Sequence, residues 1–448
     1  MLVQKLAILI VIIVTICGLR NFKSTVIVWT VVQTLLNPQV AIRYESPAMS
    51  CMLAVDIMLL LLYFYKKKRL KKKYFSQGQF LLRIPMFVML FSYVISFLFA
   101  PFSSMTGLNS AIKYIITNFG ILFLFQKCLS NPKDVNLFIK AAAIVAFIQT
   151  GLGLVENIFQ DNYWLDFIYY NSPHNDITQG RMYYIPPEIT GTLSMRYGMV
   201  RSQAFFGIHI AFGFFCLIYF YLFVRNYKEN WNFLKKKLLI LCIFLLLGGV
   251  FMANSKTGYV GLVIMIFALY KPSQIFKPKN LVGFLLVIAC IIVLFPEYMM
   301  NYYSLFDDSI AEEGGGSTIE IRKLQFETAY RLFLLNPIFG NGIGSTDLLI
   351  PLGFEDILGS ESSWMQIMPE RGFVGALMYL VMYYSLYKTF KKAFGPRPLF
   401  FYLLSVLVME TATGQLDIFI WGVPLIVVYK YMMFKMTKQS LHQRILTH

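Results

Sequence analysis

The sequence predicts an all-α, polytopic membrane protein, and three observations carry that expectation. Hydrophobic residues make up 57% of the 448-residue chain and aromatic residues 17%, whereas only 14% are charged, and mean hydropathy is +0.61. That is too apolar for a water-soluble domain, so the bilayer has to be the main solvent. Apolar runs of roughly 17 or more residues, the length a helix needs to cross a hydrocarbon core about 30 Å thick, recur to give about 12–13 transmembrane helices. The basic loops between those runs all fall on one side once the spans are counted.

The spans lie near residues 5–19, 25–42, 48–65, 84–102, 109–126, 136–155, 203–224, 238–254, 257–270, 280–297, 363–387, 398–412 and 416–434. No A-x-A-like cleavage site follows the first, and further spans do, so it reads as a retained helix and not a removed signal peptide. "KKKRLKKK" (66–73), "RNYKENWNFLKKK" (225–237), "KPSQIFKPK" (271–279), "KTFKKAFGPR" (388–397) and the C-terminal tail share one side, which the positive-inside rule makes cytoplasmic. The formal charge of +17 is then mostly an orientation signal plus attraction to anionic lipid, and it gives no reason to expect nucleic acid as a partner.

This count divides the chain into N-terminal transmembrane helices (1–155), a first large extracytoplasmic loop (156–200), central helices (201–297), a second large extracytoplasmic loop (298–360), and C-terminal helices with a basic cytoplasmic tail (361–448). The two outer loops, with short helices of their own, are where chemistry is expected. Neither contains a cysteine, so no disulfide framework is expected; the six cysteines, at or inside apolar runs, read as packing residues. The four histidines lack ligand spacing, so no metal site is expected, and no cofactor motif is found. "GNGIGS" (340–345) follows "NPIF" in an outer loop, not a strand of a βαβ unit, and reads as a turn, not as a nucleotide-binding loop.

Cations on the outer side are under-represented in membrane proteins, which singles out four of them. Arg196 and Arg201 immediately precede the span at 203–224. Lys256 lies in a very short outer turn, "NSKTG", where the alternative is an ordinary solvated lysine. Arg322 falls with Phe326, Ala329 and Phe333 on one face of a helix over 318–335, which points to docking against an anion at the membrane edge, with snorkelling of the side chain as the alternative. Glu361 is a candidate general base that could equally cap the helix it precedes. The cluster "DNYWLDFIYY" (161–170), with Tyr163 and Trp164, and the later Trp364 offer rings that stack on the apolar faces of sugars, although Trp and Tyr also collect at membrane interfaces.

Four of these stretches, "RSQAFFGIHIAFG", "NSKTGYVG", "RKLQFETAYRLFLLNPIFGNGIG" and "ESSWMQIMPERGFVGA", resemble in order the bacterial O-antigen ligase and polymerase superfamily, the Wzy-type and WaaL-type membrane glycosyltransferases. The resemblance covers about residues 196–376. It departs from the ligases at Glu361 and Ser362, where they typically carry His-Asn, and this favours a polymerase; Lys256 stands where an arginine is usual. The resemblance implies a C-type glycosyltransferase-like architecture in the bacterial cytoplasmic (inner) membrane. It further implies a metal-independent enzyme that polymerises undecaprenyl-pyrophosphate-linked oligosaccharides into O-antigen or capsular polysaccharide on the outer face. Implied partners are those lipid-linked glycans, membrane lipids, a chain-length regulator and a flippase. In that setting Arg201 and Glu361 are the catalytic candidates, Arg196, Lys256 and Arg322 diphosphate ligands, and Tyr163, Trp164 and Trp364 glycan contacts. The competing expectations are an O-antigen ligase and a transporter of the same lipid-linked glycans, the latter kept open by the intramembrane acids Asp56 and Glu410.

Overall fold

The computed structural model describes residues 2–37, 39–44, 48–69, 75–76, 78–102, 105–172, 195–196, 199–275, 277–278, 300, 303, 319–345, 362–414 and 417–446. Its helices are α1 (Leu2–Arg20), α2 (Phe22–Val32), α3 (Cys51–Arg69), α4 (Arg83–Phe99), α5 (Met105–Tyr114), α6 (Ile121–Cys128), α7 (Pro132–Phe159), α8 (Tyr163–Asn171), α9 (His209–Glu229), α10 (Lys236–Met252), α11 (Lys256–Leu269), α12 (Ile319–Leu335), α13 (Ser363–Phe394), α14 (Pro396–Thr413) and α15 (Ile418–Leu446). A π-helical segment, Ile115–Gly120, joins α5 to α6. Two small antiparallel hairpins are the strands found among the described residues: β1 (Ala41–Arg43) with β2 (Met49–Ser50), and β3 (Met195–Arg196) with β4 (Met199–Val200). The chain is an all-α polytopic membrane protein. Among the described residues, Leu2–Arg20, Gly107–Cys128, Pro132–Phe159, His209–Glu229 and Ile418–Thr437 are long and apolar enough to cross a bilayer.

Most expected spans are helical, and the one at 280–297 lies outside the described residues. The span expected at 25–42 is different: α2 ends at Val32, passes through a 3₁₀ turn (Gln33–Leu35), and runs into the first hairpin. Leu36 is already extended, and Asn37, which precedes Pro38, is disfavoured in the α region, so the helix does not resume. The Thr34 carbonyl freed by this accepts a hydrogen bond from Gln149 Nε2 of α7 at 2.7 Å.

The centre of the core is α9, whose residues are buried without a break from Phe212 to Asn226. It packs against α10, α11 and α15. Small residues bring these helices close: a Cβ on Gly261 of α11 would meet Met409 Sδ at 2.8 Å and Leu217 at 2.9 Å. With little hydrophobic drive between helices in lipid, such close packing has to hold the bundle together. At the C-terminal end of α9, Arg225 is almost fully buried. Its Nε bonds Glu229 Oε1 at 2.7 Å, Nη1 bonds the Tyr221 hydroxyl at 2.9 Å and Nη2 the Ala393 carbonyl, while its guanidinium lies 4.5 Å from the Phe394 ring centroid. Every nitrogen of that buried cation therefore has a partner.

Two local features set the course of the long helices. The long helix α7 starts with Asn131 and Asp134 capping each other's backbone and Pro132 in its first turn, and Lys23 holds Asp134 at 2.9 Å. The other is a break in α13. Pro369 lies inside this helix, and Gly372 has φ 63°, a left-handed conformation that a side chain would strain. The break is closed from outside: the freed N–H groups of Phe373 and Val374 donate to the carbonyls of Pro337 and Ile338 at 2.8 and 3.1 Å.

Candidate functional site

The C-terminal part of α7 carries Gln149, Gly153 and Glu156, spaced four and three residues apart and therefore on one helical face, and Gln160 ends the helix at φ 57°. Against this polar stripe the chain from Val200 to Phe205 is pinned by hydrogen bonds. Val200 N–H donates to Gln160 Oε1 at 2.9 Å, Ser202 Oγ to the Gly153 carbonyl at 2.9 Å, and the N–H groups of Gln203 and Ala204 to Glu156 Oε2 at 2.8 and 2.9 Å. Asn162, which caps α8 through Leu165 N–H, also donates from Nδ2 to the Ala204 carbonyl at 3.0 Å. Without this stripe the backbone groups of the segment would be buried and unpaired, which is costly in a dry interior. Ala204 pays a conformational cost even so, at φ 48° and fully buried.

That strip presents Arg201. Its side chain is half-buried, and Nη1 lies 3.1 Å from His209 Nε2, at the first residue of α9. Arg196 stands in β3, paired to Met199 of β4, so the two arginines belong to one hairpin and its continuation. The strip also reaches the short turn that carries Lys256: Ser202 N–H donates to the Met252 carbonyl at 2.9 Å, Asn254 is buried with φ 45°, and Lys256 opens α11 behind Ser255. Trp164 meets Phe205 of the strip with ring centroids 5.5 Å apart, and Tyr163 beside it is exposed. The structure thus brings the backbone of Arg196 with Arg201, Lys256 and Trp164 to the region where the C-terminal end of α7 meets the N-terminal ends of α9 and α11.

Arg322 and Trp364 stand on other elements. Arg322 is exposed on α12, whose buried stripe is Gln325, Thr328, Ala329 and Leu332. The face expected from Arg322, Phe326, Ala329 and Phe333 is rotated from this, with Phe326 exposed. Phe326, Ala329 and Tyr330 line a shallow apolar cleft with Trp364, Met365 and Met368 of α13. Behind Trp364, whose Nε1 donates to Thr411 Oγ1 at 3.1 Å, the buried Glu410 carboxylate accepts from the hydroxyls of Tyr379 and Tyr383. Glu361 lies outside the described residues.

The "GNGIGS" stretch is a turn with a partner. Gly340 packs backbone to backbone on Glu370 and Arg371, a Cβ on Gly372 would lie 2.5 Å from Gly340 N and from the Ile338 carbonyl, and Glu370 Oε1 accepts from Gly344 N–H at 3.1 Å. Asn341 N–H donates to the Pro369 carbonyl at 2.7 Å, and Ser96 Oγ of α4 donates to the Glu370 carbonyl at 2.7 Å. Reading the sequence did not find Glu156, His209, Glu370 or Arg371. The spacing of polar residues along α7 was a visible signal for Glu156; nothing local marks the other three.

The helical bundle and the strip that carries Arg201 define the class, a polytopic membrane protein with a polar site at one end of the bundle. Residues 241–380 match the Wzy_C family, described as O-antigen ligase, and the match supports assignment to the O-antigen ligase/polymerase superfamily. It supports a membrane enzyme of ligase or polymerase type without separating the two. The matched region contains Lys256, Arg322, Glu361 and Trp364 and stops short of Arg196 and Arg201. No curated protein matches the chain.

Proposed function

We propose that the protein is a polymerase that joins undecaprenyl-pyrophosphate-linked oligosaccharide repeat units into O-antigen or capsular polysaccharide on the outer face of the cytoplasmic membrane. The observation that carries this reading is the strip at Val200–Phe205, fixed along α7 by Glu156 and its neighbours so that Arg201 is held at the mouth of α9. An arginine held by its backbone in advance suits a diphosphate, because its planar fork makes two charge-assisted hydrogen bonds to phosphate oxygens. Arg196, on the hairpin that leads into the strip, and Lys256, behind the turn the strip reaches, are the candidates to share that role, with Arg322 as a further one.

In the reaction a sugar hydroxyl of one lipid-linked unit attacks the anomeric carbon of another, the glycosidic bond forms, and the bond to undecaprenyl diphosphate breaks. The leaving diphosphate gains negative charge, which fixed cations stabilise. The attacking hydroxyl loses its proton to a general base, the role assigned to Glu361, worth ~10²- to 10⁴-fold. Tyr163, Trp164 and Trp364 would hold sugar rings. No step needs a divalent cation or nucleotide, so turnover in excess chelator is expected to equal that in buffer; loss restored only by a divalent metal would overturn this part.

Purified protein given a lipid-linked repeat unit should produce a ladder on a gel. Transfer to a different acceptor alone would instead establish the ligase reading that the family description favours, and an untouched repeat unit would exclude both. Within the polymerase reading, Arg201→Ala should lower turnover at least ~10²-fold at matched protein level, the scale of deleting one preorganised donor. Arg201→Lys should restore part of it. Near-normal polymer from Arg201→Ala would sink the diphosphate assignment.

A further inference from the structure

The break in α13 holds a second arginine that the reaction above leaves unused. Arg371 is 3% exposed, its guanidinium sits 4.7 Å from the Tyr93 ring centroid of α4, and its Nε and Nη1 have no hydrogen-bond partner among the described residues. An arginine stays charged whatever its surroundings, and two buried donors without acceptors call for an anion. The local backbone does not supply one: the Pro369 carbonyl is taken by Asn341, and the Glu370 carbonyl by Ser96 and Gly342 N–H. The Glu370 carboxylate is turned to Gly344 N–H. On the α4 side, the buried Ser92 Oγ beside Tyr93 also has no partner among the described residues.

The surroundings favour a lipid as the source of that anion. Tyr93 lies six residues before the outer end of α4, about 9 Å along a helix and so inside the apolar layer. Immediately beyond the buried arginine, Phe373 is 62% exposed, and Phe99, Ile338 and Leu377 are also exposed large apolar residues. An apolar chain can lie along these side chains while its headgroup turns inward past Phe373.

We propose that Arg371 binds a phosphate of a prenyl diphosphate lipid, as a second phospholipid-type station separate from Arg201; the assignment of that station to the acceptor substrate rests on the polymerase reading above. A polymerase handles two lipid diphosphates at once, a donor whose diphosphate leaves and an acceptor whose diphosphate stays. Arg201 and Arg371 stand on different elements, the first against α7, α9 and the α10–α11 turn, the second between α4, α13 and the 336–345 turn. The buried station holds a group that need not depart.

The test is a count of bound lipid. Full-length protein in phosphatidylcholine nanodiscs, titrated with undecaprenyl diphosphate and weighed by native mass spectrometry, should bind two lipids per chain. Arg371→Met and Arg201→Ala should each bind one. Arg371→Lys, which keeps the charge and is the variant to use should the methionine form fail to fold, should weaken the second equivalent about tenfold and leave the first unchanged. A wild-type chain that saturates at one lipid, or an Arg371→Met chain that still binds two, overturns the proposal. Two lipids bound by Arg201→Ala with one bound by Arg371→Met would remove the Arg201 assignment and keep this one. Repeating the titration in phosphatidylglycerol identifies the source: an Arg371-dependent phosphatidylglycerol that blocks the second equivalent would replace the prenyl assignment with an ordinary membrane lipid.

Discussion

Arg225 and Arg371 are both almost wholly buried, yet the protein treats them differently. At the C-terminal end of α9, Arg225 spends Nε on Glu229, Nη1 on Tyr221 and Nη2 on a carbonyl, with the Phe394 ring against the guanidinium. In the break of α13, Arg371 has the ring of Tyr93 and two nitrogens without a partner among the described residues. The pairing around Arg225 shows what this chain does with a cation whose role is to hold helices together. An arginine left incomplete in an equally buried place is a site kept for something else.

Four substitutions sharpen or break that comparison, read as thermal midpoints of the detergent-solubilised protein. Arg225→Met should have the largest effect, because it strands the Tyr221 hydroxyl and the partly exposed Glu229 and separates α9 from the end of α13; breaking a buried pair of this kind costs about 3 kcal/mol. An unchanged midpoint would mean that the inner cation is not structural. Gly372→Ala comes next, at about 2 kcal/mol, since it forces a left-handed φ on alanine and places a methyl against Gly340 and Ile338. A midpoint equal to wild type would show that the break in α13 can relax, and the fixed position of Arg371 would go with it. Ala204→Gly should raise the midpoint slightly, by at most about 1 kcal/mol, because glycine adopts φ 48° without the cost alanine bears. A lowered midpoint would argue that Ala204 packs more than it strains. Arg371→Met should show the smallest effect, no loss of midpoint, since an unpaired buried charge contributes nothing to hold the fold. A fall as large as that of Arg225→Met would reveal a protein partner and close the comparison.

The sequence carried the bundle well wherever apolar runs set the helices, and failed where backbone geometry did. The end of α2 at Val32 is a tightening into a 3₁₀ turn and an extended Leu36, which a hydropathy window averages away. The span at 363–387 reads as continuous, although Pro369 and Gly372 divide it. At the site, Arg201 was legible because a cation beside an outer span end breaks a charge rule. Arg371 was not, because it sits inside an apolar run between a glutamate and a glycine, and only the fold separates Glu370 from it by turning that carboxylate to Gly344. Arg322 shows the limit of periodicity: its helix was found, but the buried stripe runs through Gln325 and Thr328, polar residues that a hydrophobic pattern passes over.

The hydrogen bond from Ser96 to the Glu370 carbonyl joins residues 274 positions apart. At about 5–20 residues per second of synthesis, α4 waits roughly 15–55 s in the bilayer before the segment that completes it has been made. During that interval the Ser96 hydroxyl lacks the Glu370 carbonyl it donates to in the finished fold, and the contact between α4 and α13 forms only once the 336–345 turn and the break in α13 have been made.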